Sequence, residues 1–229
     1  MLLLNQSHKF ENLPSRELVY NHIESAGRTC YQSEPKGNPE GFIKMIINRG
    51  HETVLEHIAL TCRCVTDIGI SHEIVRHRIA SYSQESSRYC DYNRNQVAFI
   101  IPTWITTIPT GEYEITWDKL YGTCNSEQYQ NIIPNLSETD SWWFWSMALA
   151  ERDYKKLRGL GWKPEQARSV LPKSLKTEIV MTMNIREWRH FFKLRTAKTA
   201  HPCMIKLSTG MLNELNNLYP ALFNDILVG

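Results

Sequence analysis

Residues 177–195 read TEIVMTMNIREWRHFFKLR, and the spacing of their apolar side chains changes midway. Thr177 to Met183 is rich in β-branched residues and reads as a strand. Arg186 to Ala197 reads as a helix, with Trp188, Phe191, Phe192 and Arg195 along one stripe. A strand that runs directly into a helix points to a mixed α/β architecture. The rest of the chain repeats the alternation.

Upstream, Asn38 reads as an N-cap, Pro39 as the first helical residue and Gly50 as the stop. They frame a helix whose apolar positions are Phe42, Ile43, Ile46 and Ile47. Ser15–Ala26 reads as a shorter helix. Leu60, Cys62 and Cys64 alternate with Thr61, Arg63 and Val65, a strand pattern that turns both cysteines to the core. The spacing of Ile70, Ile74, Val75 and Ile79 predicts a helix over 71–79, and the polar stretch Ser81–Asn95 predicts a loop. Met1–Asn5 predicts an edge strand, and Val97–Ile101 a short strand closed by Pro102. Residues 103–140, with Pro109, Gly111, Gly122 and Pro134, predict an irregular excursion.

Downstream, 142–160 and 164–170 read as helices. Met211, Leu215, Leu218, Leu222 and Ile226 predict one helix over 211–227. The elements interleave with no repeat, linker or low-complexity tract. The expectation is one α/β (α+β) domain spanning 1–229.

The 229 residues carry 26 Lys plus Arg against 24 Asp plus Glu, a net charge of +2. That balance argues against a nucleic-acid partner. No apolar window approaches the roughly 18 residues of a membrane span. The apolar start Met1–Leu4 breaks at Asn5, so neither a membrane anchor nor a secretory leader is expected. Six cysteines without such a leader fit a reducing, cytoplasmic interior. Neither a GxGxxG nor a Walker sequence occurs, so a nucleotide cofactor would be held without a Rossmann turn.

Two stretches concentrate chemistry. Arg76-His77-Arg78 is followed by Ser81, Ser83, Gln84, Ser86, Ser87, Arg88 and Tyr89, opposed only by Glu85. Arginine forks pair with phosphate oxygens at two points, and hydroxyls or loop amides fill the remaining acceptor sites. On a helix, residues 76 and 78 would point about 200° apart and face different partners. A solvated basic helix end fits the same charges.

The second stretch is Asn184-Ile185-Arg186, then Arg189, His190 and Arg195. Arg186 and His190, four apart, share a helix face. Arg195 on an aromatic stripe is costly unless it meets a planar acceptor or snorkels past the rings into water. His51, Glu52, Glu56 and His57 lack the spacing of a helical zinc site, and no metal is expected. His201-Pro202-Cys203 offers a thiol beside an imidazole, a pairing that adjacency alone does not make catalytic.

The string RHRIASYSQESSRY at 76–89 resembles the signature of flavin-dependent thymidylate synthases: Arg-His-Arg, seven residues, Ser. HETVLEH at 51–57, EQARSVLP at 165–172 and NIREWRHFFKLR at 184–195 resemble three further segments of that family, in the same order. The resemblance implies a central antiparallel sheet surrounded by helices, assembled as a homotetramer. It also implies synthesis of dTMP from dUMP with methylenetetrahydrofolate, NADPH and FAD.

By position, Thr53, Arg76, His77, Arg78, Gln84, Asn184, Ile185, Arg186 and His190 fall at flavin-contacting places of the family. Glu73, Ile74, Val75, Arg76, Gln84, Glu85, Ser86, Ser87, Arg88 and Arg168 fall at dUMP-contacting places, and Arg195 at the one that activates the pyrimidine. His190 stands where some relatives have Asn, and Ala200-His201 where the family often has Ala-Gln. A related flavoprotein that modifies deoxyuridylate differently would need the same pocket. A non-catalytic nucleotide- or RNA-binding module is the alternative from another class. It would lack flavin colour.

Overall fold

The computed structural model describes every residue except 31, 94–95, 116–132, 134–135 and 228–229. The chain packs as two compact units. One comprises residues 1–6, 65–72 and 84–178; the other comprises 7–64, 73–83 and 179–229.

In the first unit, β1 (Leu2–Leu4) lies between β5 (Ala98–Ile100) and β6 (Gly111–Glu112). β1 is therefore a central strand and not the edge strand its sequence predicts. It pairs parallel with β5 and antiparallel with β6. The expected single antiparallel sheet is thus replaced by two sheets, and this smaller one is mixed.

Behind it lies α4 (Glu138–Gly159), which starts four residues before the predicted Trp142 because Ser137 caps it by accepting from Asp140 N. Leu3, Phe99, Phe144, Trp145, Ala148 and Tyr154 form the core of this unit. α5 (Pro164–Ala167) and the 3-10 turn Arg168–Val170 follow. Of the predicted excursion, β6 and the start of α4 are regular, while most of 116–135 lies outside the described residues.

Arg158 forks onto Asp91 here, Nε to Oδ1 at 3.0 Å and Nη2 to Oδ2 at 2.6 Å, and Tyr154 donates to Oδ1 at 3.2 Å. The Arg158 hydrogen bonds hold the Asp91 carboxyl down to about 2, from an ordinary 3.8. A carboxyl depressed on folding stabilises above its unfolded pKa and stops doing so below its folded one. The stability gap between wild type and Asp91→Asn should therefore be full above about pH 4 and close toward about pH 2. Denaturant titrations across that range read it directly. A gap independent of pH would refute the assignment.

The second unit contributes most residues of a four-stranded sheet in the order β2–β3–β7–β4, formed by Ser7–Glu11, Ala59–Asp67, Lys176–Asn184 and Ser81–Gln84. Ile185 N donates to Ile58 O at 2.9 Å and the Thr61 and Thr182 hydroxyls meet at 2.9 Å. Numbers rising on one strand as they fall on the other make β3 and β7 antiparallel. Alternate residues of both are buried, Cys62 and Cys64 among them.

β2 escapes the apolar-pattern reading because SHKFE buries only Phe10. β4 escapes it because Ser81–Gln84 is a polar strand at the end of the sheet.

Helices α1 (Arg16–Thr29), α2 (Pro39–Asn48), α6 (Ile185–Arg195), α7 (Pro202–Leu218) and α8 (Pro220–Leu227) belong to this unit. A Cβ on Gly27 would come within 2.6 Å of the Phe42 ring, so glycine is what lets α1 close on α2. The helix predicted over 211–227 is broken at Tyr219. Pro220 has no N–H to continue the ladder, and it disfavours the helical conformation before it. The apolar period survives the break because Met211, Leu215 and Leu222 are all buried.

Arg189, 1% exposed, anchors α8 by a two-point contact with Asp225, Nη1 to Oδ1 at 2.8 Å and Nη2 to Oδ2 at 2.7 Å. It also donates to Glu52 at 3.3 Å and to the Leu222 carbonyl. Burial favours a neutral Asp225, but the hydrogen bonds and charge of Arg189 outweigh it and hold the carboxyl below its usual range. Asp225→Asn should cost about 1–3 kcal/mol, a buried-pair loss reduced because Asp225 is half-exposed. The expected signature is a lower denaturant midpoint with an unchanged slope.

Candidate active site

α6 begins where β7 ends. Asn184 closes the strand and caps the helix, its side-chain oxygen accepting from Glu187 N at 2.9 Å. This junction fixes the helix's rotation. Trp188, Phe191 and Phe192 are fully buried, with Trp188 Nε1 donating to Leu60 O at 3.1 Å. Arg186 and His190 are left exposed on a common face, as their spacing predicts.

α3 (Ile68–Ile74) ends earlier than predicted. Its last carbonyl, Ile74 O, accepts from His77 N at 3.2 Å, the three-residue step of a turn, and the Tyr82 hydroxyl shares its one proton between Ile74 O at 2.9 Å and His77 O at 2.8 Å. Burial raises the Tyr82 hydroxyl to about 12, so it remains a donor. The Arg76–Arg78 run is therefore a turn and not a helix. Exposed Arg76 and Arg78 flank an inward His77 that is 5% exposed.

His77 and Arg195 meet. Arg195 Nε donates to His77 Nε2 at 3.0 Å, Nη1 to Glu73 Oε2 at 3.1 Å and Nη2 to Glu73 O at 2.8 Å. Arg195 is thus held by a carboxylate and a carbonyl, with its side chain 17% exposed, rather than snorkelling past the rings. On its other side, His77 Nδ1 lies 3.1 Å from Glu187 Oε1.

Two adjoining clefts share Ile79, Glu187 and His190. One, of about 450 Å³, adds Glu52, Glu56, Asn184, Arg186 and Lys193. The other, of about 590 Å³, adds Arg76, His77, Arg78, Leu194 and Arg195. His77, Glu187 and His190 bring ligand-type atoms within 4.8 Å of one another. A permanent guanidinium on His77 opposes a cation there and suits an anion.

Glu52 and Glu56 are counter-ions, Glu52 to Arg189 and Glu56 to Arg186 at 2.6 Å. The Arg186–Glu56 pair is half-exposed, so a ligand diphosphate can replace the carboxylate at small cost. A phosphate-bearing cofactor therefore fits this donor set.

Thr53 is exposed on the same 3-10 turn, Glu52–His57. Ile185 and Ile74 are fully buried. The Ile185 N–H is spent on Ile58 O, Ile74 O accepts from His77 N and Tyr82, and neither residue lines either cleft. Val75 is exposed in the turn. Glu187 lines both clefts and is a residue that the sequence motifs do not single out. Its position at the first turn of a capped helix was the available signal.

In the other unit, Gln84 Nε2 donates to Ser71 Oγ at 2.9 Å and Thr177 Oγ1 at 3.1 Å, which anchors the start of the 84–88 loop. Ser86 accepts from Arg88 N at 3.3 Å. Arg168 Nη1 donates to Ser87 Oγ at 3.0 Å, so the two distant segments named from sequence do meet. Arg88 and Arg168 are exposed. The Glu85 carboxylate is neutralised by Lys176 at 2.7 Å and its N–H is spent on Glu178 O at 2.8 Å, so neither group is left to serve an anion. Cys203 is 2% exposed at the start of α7.

Residues 19–221 match the thymidylate synthase complementing protein family. The flavin-dependent thymidylate synthase of Mycobacterium avium is 34% identical over 210 residues, covering 89% of this chain and 78% of that relative. The chain belongs to the flavin-dependent thymidylate synthase family. The enzyme of that name from Mycobacteroides abscessus is 33% identical over 210 residues. All four segments that resemble the flavin-dependent thymidylate synthases lie inside the matched range.

The fold extends to a more distant protein, a UMP/dUMP methylase, PolB, from Streptomyces cacaoi crystallised with 5-Br UMP. It superposes with a TM-score of 0.72 at 21% identity, covering 99% of this chain and 96% of that one. Among the described residues of this thymidylate synthase family member, no helix is long and apolar enough to cross a membrane.

Proposed function

We propose that the chain catalyses reductive methylation of dUMP to dTMP, with FAD as redox carrier, methylenetetrahydrofolate as carbon donor and NADPH as reductant, as a homotetramer. What supports this reading is the convergence of two family segments, 76–78 and 184–195, on one pair of clefts. Arg186, Lys193, His190 and Asn184 would hold the flavin's diphosphate side. FAD, when bound, supplies the hydride and one-carbon chemistry, so the protein provides position and electrostatics.

Arg195 presents its planar fork to the uracil edge and stabilises negative charge as carbon 5 becomes nucleophilic. Ser86, Ser87, Arg88 and Arg168 bind the phosphate. A buried Cys203 thiol has no part in this route.

The test begins with FAD saturation followed by gel filtration. Flavin absorbance should stay with the protein, and light scattering should give a tetramer. Addition of dUMP, methylenetetrahydrofolate and NADPH should then yield dTMP by mass. A colourless protein would sink the flavin assignment. A hydroxymethyl product would identify the related modifying activity instead.

A further inference from the structure

Glu187 is 7% exposed, yet among the described residues its carboxylate has one hydrogen-bond partner, His77 Nδ1 at 3.1 Å. A carboxylate buried in a cleft wall is costly unless it is paired. It therefore has work to do on that ring. We propose that Glu187 is a positioning residue that fixes His77 in the Nδ1–H tautomer and thereby orients Arg195.

The tautomer follows from the donors. Arginine Nε always carries a proton, so at 3.0 Å from His77 Nε2 it must donate, and Nε2 must be the bare nitrogen. The ring's proton then sits on Nδ1 and points at Glu187. An Nε2–H tautomer or an imidazolium would set two N–H groups against each other and release the guanidinium from one of its three contacts.

The ring's surroundings agree. Burial and the Arg195 charge push His77 below the ordinary histidine value, against the pull of Glu187. The other groups around it are His190 on α6, at a ring distance of 5.8 Å, and Glu73 across Arg195. Arg76 and Arg78 lie beside it in the chain, and Tyr82 donates to its carbonyl. None of them supplies a second acceptor for Nδ1. The inference rests on the reading that Arg195 activates the substrate, and it makes Glu187 necessary to that activity without touching the substrate.

The primary test is the 15N spectrum of the His77 ring in the full-length protein, assigned by difference against His77→Gln. Wild type should show Nδ1–H with bare Nε2 at neutral pH, and Glu187→Met, which leaves Nδ1 without an acceptor, should shift the ring toward Nε2–H. Kinetically, Glu187→Met should lower single-turnover dTMP formation by about tenfold, the scale of a lost hydrogen bond to a charged group. Flavin affinity and the KM for dUMP should change little.

The acid limb of the pH profile should move to lower pH, because removing the carboxylate removes the group that favours imidazolium. In a His77→Gln background, Glu187→Met should add no further loss. Nε2–H or imidazolium in the wild-type protein would overturn the proposal. So would an unmoved tautomer, acid limb and rate in Glu187→Met while Arg195→Ala is crippled. Near-normal turnover in Arg195→Ala would instead overturn the underlying reading of Arg195, whatever the His77 spectrum shows.

Discussion

Arg195→Ala is expected to slow single-turnover dTMP formation by about 30- to 1,000-fold, a loss of about 2–4 kcal/mol on the scale of a deleted oxyanion donor. The side chain is held at three points by Glu73 and His77, so its fork is already oriented before negative charge develops on the ring. Preorganised donors need little reorganisation at the moment of reaction, and that is where their effect arises. Its partial burial strengthens the field it exerts.

Flavin affinity should fall much less, because Arg186 and Lys193 line the adjoining cleft and Arg195 does not. Arg195→Lys should recover little. An ammonium has no counterpart to Nε at the His77 contact and cannot present a planar two-point donor. The measurement uses enzyme with FAD reduced beforehand and dUMP saturating. Near-normal rates in Arg195→Ala would show the residue to be structural.

The second large effect is expected in substrate affinity. Arg168→Ala should raise the KM for dUMP about 10- to 100-fold with kcat little changed, as for loss of binding felt equally in ground and transition states. The guanidinium is exposed and held toward the loop by Ser87 Oγ. Among the described residues its charge has no carboxylate partner, unlike that of Lys176, which is spent on Glu85. Deoxyuridine, which has no phosphate, provides the control: its weak turnover should be the same in wild type and Arg168→Ala. An equal loss with both substrates would mean that Arg168 supports the loop and not the phosphate. Added salt should weaken dUMP binding in wild type more than in the variant.

The sequence by itself settles a good deal here. The junction at Asn184 is legible because a residue that ends a strand and caps a helix leaves a change of period on both sides. The helix over Pro39–Asn48 is legible because its cap, its first-turn proline and its closing Gly50 are all local signals. The pairing of Arg186 with His190 on one face follows from helical spacing alone.

Other features are decided by contacts between residues far apart in the chain, which no local pattern records. Leu2–Leu4 is a central strand because β5 and β6 both find it. Ser81–Gln84 is a strand because β7 offers a ladder, though its own side chains are polar. The Arg76–Arg78 run leaves the helix in a tight turn, His77 N on Ile74 O, and the distant Tyr82 hydroxyl seals that turn's carbonyls. Glu187 reaches His77 across 110 positions of sequence.

Sequence thus sets which side chains are present and which short stretches repeat at 2.0 or 3.6 residues. Only the folded chain decides which proton sits on which histidine nitrogen, because that depends on the donors and acceptors that packing brings within 3.1 Å of the ring.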